Sequence, residues 1–83
     1  MIYGVYAIRD LRTGYLSPTV DVNDSSACRN FRHAASRTES LFFTHPADYQ
    51  LERIGTYDTD DGILVPEDHK LIARASDFVE VTK

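Results

Sequence analysis

The sequence predicts a small α+β domain: an antiparallel sheet of about five strands with one amphipathic helix packed on one face, in the order strand, strand, helix, strand, strand, strand. Three observations predict it. Residues 23–37, NDSSACRNFRHAASR, are the one stretch with a clean helical period. Residues 1–9, MIYGVYAIR, are apolar and β-branched or aromatic at nearly every position, as a strand covered by neighbours requires. Acidic and glycine-closed turns at residues 10–14 and 58–62 separate short apolar runs, the pattern of hairpins. With 83 residues the chain makes one domain, residues 1–83, because two halves of this size would each lack a core.

In the first strand, Gly4 predicts a close backbone approach by a neighbour, with the helix crossing over it as the candidate. The turn Asp10-Leu11-Arg12-Thr13-Gly14 uses Gly14 for the positive φ that closes it. Residues 15–18 return as a second strand, which Pro18 limits because it has no N–H. Residues 19–22 lead into the helix.

Asn23 or Asp24 can cap that helix. Ala27, Cys28, Phe31, Ala34 and Ala35 gather into one apolar stripe, while Arg29, Arg32, His33, Ser36 and Arg37 hold the opposite face. A lone cysteine excludes an internal disulfide, which fits a reducing compartment; Cys28 reads as part of the buried stripe. Leu41-Phe42-Phe43 has two readings, a plug at the end of the core or an exposed contact for a protein partner. Residues 44–48 form a turn with Pro46 at its first position.

Residues 49–58 alternate as a strand with a slip near Arg53 that a bulge would correct. After the Asp58-to-Gly62 turn, Ile63-Leu64-Val65 returns, residues 66–69 are a polar connection, and residues 71–73 make a final short strand. Ser76-Asp77 starts a last turn, and residues 80–83 are a tail.

Chemistry-bearing motifs are sparse. The acids Asp58, Asp60 and Asp61 miss the calcium-loop spacing, since Gly62 falls at position 5 and His69 at position 12. His33, His45 and His69 are scattered and read as solvent-facing or capping, Cys28 and His33 lie on opposite sides of the helix, and no serine sits in an elbow motif. The sequence therefore predicts no enzyme, no metal site and no cofactor. It carries no apolar run long enough for a membrane span and no leader pattern, so the expected setting is a cytoplasm with no membrane contact.

Net charge is −4, against bulk electrostatic coating of nucleic acid. The charge is divided: residues 1–37 carry five arginines against three aspartates, and residues 38–83 carry four basic residues against ten acidic ones. Such a chain can still orient on a polyanion or associate head to tail with itself. Arg29, Arg32, His33 and Arg37 are the candidate nucleic-acid-binding residues, spaced to follow a phosphate backbone. A solvated helix face carries such charges too. Tyr3, Tyr6 and Tyr15 would add stacking platforms if the sheet face away from the helix is open.

The order of features resembles the small nonstructural protein of gokushovirus-type microviruses, phages with single-stranded DNA genomes. The resemblance is carried by Ile2-Tyr3-Gly4-Val5-Tyr6, Tyr15-Leu16-Ser17-Pro18, the helix with Phe31 and Arg32, His45-Pro46-Ala47-Asp48-Tyr49-Gln50-Leu51, Ile54-Gly55-Thr56-Tyr57-Asp58 and Leu71-Ile72-Ala73-Arg74-Ala75. Arg32-His33 departs from the more apolar helix of that family. The resemblance implies a non-enzymatic protein of the infected bacterium's cytoplasm. It would act in viral DNA replication and packaging, with viral single-stranded DNA or the replication complex and the phage procapsid as partners. It supplies no site residues, so the basic helix face rests on the residues themselves. The competing reading is a protein adaptor or homo-oligomeric scaffold that works through Leu41, Phe42 and Phe43 or a sheet edge without touching DNA.

Overall fold

The strand Ile2–Asp10, β1, is the one that the rest of the sheet is laid against. The computed structural model describes residues 1–78. Along one side of β1 run two short strands, β2 (Gly14–Tyr15) and β3 (Thr19–Asp21), and along the other runs β4 (Tyr49–Asp58), followed outward by β5 (Ile63–Arg74). All pairs are antiparallel. The helix α1, Asp24–Ala35, packs on one face. Five strands and one main helix are the fold class that the sequence predicts.

The order of elements differs from the expected one in two places. Residues 19–21 do more than lead into the helix: after Pro18 they rejoin β1, with Val20 opposite Val5. The two short strands expected after Gly62 are one strand of twelve residues. The expected polar connection, residues 66–69, lies inside it. Between the Gly55–Pro66 and Arg53–Lys70 pairs, three residues of β5 stand against the single Ile54 of β4, which makes a bulge. Pro66 is tolerated because β5 is an edge strand.

The slip expected near Arg53 is present. Val5 pairs with Gly55 and Tyr6 with Arg53, so Ile54 is the extra residue. Both hairpins close on glycines of positive φ, Gly14 at 130° and Gly62 at 69°.

Asn23 is the helix cap, its Oδ1 accepting from Ser26 N–H at 2.8 Å. Ala27, Phe31 and Ala35 are buried and Cys28 and Ala34 half-buried, as the stripe requires. Ala27, Phe31, Ala35 and Cys28 meet Tyr6, Tyr49, Leu51, Ala73 and Ala75 in one core. Burying Phe31 alone stabilises this contact by about 1.5–3 kcal/mol. The neighbour that Gly4 makes room for is the ring of Tyr6, not the helix: a Cβ there would sit 2.5 Å from Tyr6 Cζ. Tyr6 lies back along its own strand because its hydroxyl reaches for Asp24 at the start of α1. The chain ends its described part in a single 3-10 turn, Ala75–Asp77, and residues 79–83, which hold the expected tail, lie outside the described residues.

Candidate nucleic-acid interface

The apolar stripe of α1 faces the sheet, so its other side is left to solvent, and Arg29, Arg32 and His33 project from it at three- and four-residue spacing. With Ser36 and Phe78 they line a shallow depression of about 430 Å³. The Arg32 guanidinium lies 5.9 Å from the centre of the Phe78 ring, at the outer reach of a cation–π contact. Among the described residues, none of Arg29, Arg32 and His33 forms an ion pair. Arg32 and His33 also occupy the last helical turn, where positive charge complements the helix dipole.

Arg37, the fourth candidate, is placed differently. Its Nε and Nη2 donate to Glu39 Oε1 at 3.1 and 2.9 Å. Hydrogen bonding from Glu39's own backbone, then from Arg37, holds that carboxyl below its ordinary range. The structure thus brings three of the four basic candidates together and ties the fourth to an acid two residues on.

Leu41, Phe42 and Phe43 lie on a one-turn helix, α2 (Leu41–Thr44), capped by Ser40. Phe42 wedges between Phe31 and Tyr49, with ring centres 5.6 and 4.9 Å away, so it belongs to the core. Leu41 is exposed and Phe43 half-buried. Those two are what a protein partner could reach.

A family model described as Phage ORF5 protein matches residues 3–78, a span that includes the helix face and α2. The chain belongs to the phage ORF5 protein family. Comparison with curated proteins and with solved structures finds no match. The family agrees with the resemblance drawn from the sequence at the level of a small phage protein.

In this phage ORF5 protein two side-chain networks escaped sequence reasoning. One fastens α1 to the sheet. Asp24 accepts from Tyr6 Oη at 2.6 Å, Arg53 Nη1 at 2.8 Å and Lys70 Nζ at 3.1 Å. The Tyr6 bond first, then the two cations, hold its carboxyl at about 2 despite partial burial. Burial and the Asp24 carboxylate push the Tyr6 hydroxyl up to about 12.

The second network lies on the sheet face away from the helix. Glu52, 4% exposed, accepts from Tyr15 Oη at 2.8 Å and Gln50 Nε2 at 2.6 Å, with His69 Nδ1 at 3.4 Å and Arg9 Nη1 at 3.9 Å. Burial raises its pKa, but the two hydrogen bonds and neighbouring charges more than offset that and leave it lowered. Tyr15 is exposed here, packed edge-on against His69. Tyr6 points to the helix side and is fully buried, and Tyr3 is half-buried, so Tyr15 is the one exposed platform among the three tyrosines. No local signal marks Glu52, because a charged residue at an outward position of the strand alternation reads as solvent-facing. Its partners sit 37 and 17 residues away in sequence, at Tyr15 and His69.

Chemically, the helix face offers two guanidinium groups and an imidazole to an anion. Among the described residues no group of three or more His, Cys, Asp or Glu is placed to hold a metal ion. No described helix is long and apolar enough to cross a membrane.

Proposed function

We propose that this phage ORF5 protein is a non-enzymatic accessory in replication and packaging of a single-stranded DNA genome, working in the cytoplasm of the infected bacterium. It touches the viral strand, or the replication complex carrying it, through Arg29, Arg32 and His33, and helps direct strands to the procapsid. One observation carries the reading: these three side chains converge on a common depression and none is spent on an acid among the described residues. Phe78 at the edge of the depression adds an apolar surface against which a sugar or base can rest. Three groups reach no more than about three phosphates, so binding is weak and log affinity falls with log salt at a slope of about −1.5 to −2.

Fluorescence anisotropy of a labelled single-stranded oligonucleotide tests it. Binding near 20 mM salt that weakens with the double substitution Arg29→Ala and Arg32→Ala, together with a shallower salt slope, supports the contact. Absence of binding at that roughly 20 mM salt removes it. The second reading, an adaptor without DNA contact, is favoured by Leu41, 59% exposed beside Phe43. It predicts that arginine substitutions leave function intact while Leu41→Ser abolishes partner capture.

A further inference from the structure

β5 is the edge of the sheet over its full length, and every residue of it but Ile72 and Ala73 is exposed. On either side of the bulge at residues 67–69, an edge of that length offers unpaired N–H and C=O groups to another strand. Pro66 and the run Glu67-Asp68-His69-Lys70 exclude most strands from this edge, since a partner must meet two acids followed by an imidazole and an ammonium with the matching sign. One strand that meets it is β5 itself. Placed antiparallel about the midpoint between Asp68 and His69, two copies set Glu67 opposite Lys70, Asp68 opposite His69 and Pro66 opposite Leu71, each contact made twice by the symmetry.

The faces agree as well. Glu67 bonds Arg53 and Lys70 bonds Asp24, the two anchors of the helix side. Leu71 pairs with Glu52 and Pro66 with Gly55, both on the open side of the sheet. Because the bulge at residues 67–69 breaks the alternation, Glu67 and Lys70 share one face and Pro66 and Leu71 the other, as an antiparallel pair requires. Among the described residues Glu67 uses only Oε1, which leaves its other oxygen to Lys70 of a second copy. Leu71, 42% exposed, would lie beside Pro66 at the rim of an apolar groove of about 230 Å³ lined by Val5, Pro18, Gly55, Leu64 and Pro66.

We propose that the protein forms a symmetric dimer in which two copies of β5 pair antiparallel about this midpoint, joining two five-stranded sheets into one. This contact is separate from the helix face, and either can fail alone.

Sedimentation velocity on the wild-type chain over a wide concentration range tests the proposal, with Asp68→Arg as the variant. Asp68 has no side-chain ion pair or hydrogen bond among the described residues, so its replacement spares the fold, and a circular-dichroism melt checks this. In the dimer the new arginine faces His69 and adjoins Lys70 of the second copy, and dissociation rises about tenfold or more. Hydrogen exchange of the amides at 67–71 supplies a second readout, with protection that fades on dilution. A wild-type chain that stays monomeric, a dimer indifferent to Asp68→Arg, or a dimer without protection at 67–71 overturns the proposal.

Discussion

Replacing Asp24 by alanine tests what holds the helix to the sheet. The carboxylate binds Tyr6, Arg53 and Lys70, and its folded pKa of about 2 stands against an ordinary value of 3.8. At about 1.4 kcal/mol per pH unit that shift corresponds to about 2.5 kcal/mol. The side chain is 33% exposed, so solvent screening brings its contribution to about 1–2 kcal/mol. Alanine also leaves the hydroxyl of the fully buried Tyr6 without its acceptor, at a cost of about 1–3 kcal/mol that overlaps in part with the first figure. Together about 2–3 kcal/mol is lost, which in a domain of this size lowers Tm by about 10–20 °C. Thermal unfolding followed by circular dichroism at neutral pH reads this directly. A depressed pKa contributes stability above the unfolded value and loses it as pH falls through the folded one. The wild type should therefore weaken between pH 3.8 and about 2 by more than Asp24→Asn does. An alanine variant that melts within about 3 °C of wild type refutes the reasoning.

The Tyr6 hydroxyl, raised to about 12 from 10.0, works in the opposite direction. Its contribution is complete below pH 10.0 and is lost as pH rises towards 12, so Tyr6→Phe should flatten the alkaline limb of a pH–stability curve. Gly4→Ala forces a Cβ into the buried Tyr6 ring and should cost about 1–3 kcal/mol in urea denaturation; a neutral result would mean that the ring is free to move. In DNA titrations Arg37→Ala should leave affinity unchanged while Arg29→Ala and Arg32→Ala each reduce it, because Arg37 is already committed to Glu39. Equal losses at all three positions would show that charge alone, and not the shared depression, governs binding.

Much of this was legible in local pattern. The period of residues 23–37 located α1 and assigned its faces, because a helix repeats every 3.6 residues whatever it packs against. The slip near Arg53 announced a bulge, since alternation in a strand fails by one residue when one is inserted. The pairing of Arg37 with Glu39 was also within reach, two residues apart, but a helical spacing rule does not see it beyond the end of the helix. By contrast β3 was invisible as a strand, for three residues carry too little pattern until β1 is there to pair with them. Pro66 and the charges after it read as a break, and only the position of β5 at the sheet edge allows a strand to run through them.

The sequence by itself determined the helix, its basic and apolar sides, the two glycine-closed hairpins and the bulge near Arg53. These depend on periodicity and turn chemistry, which act between near neighbours. Tertiary structure alone decided which arginines remain available, that Tyr6 turns inward to Asp24 while Tyr15 turns outward over Glu52, and that Phe42 serves the core while Leu41 does not. Each of those outcomes requires residues far apart in the chain to meet across the sheet, and no local preference carries that information.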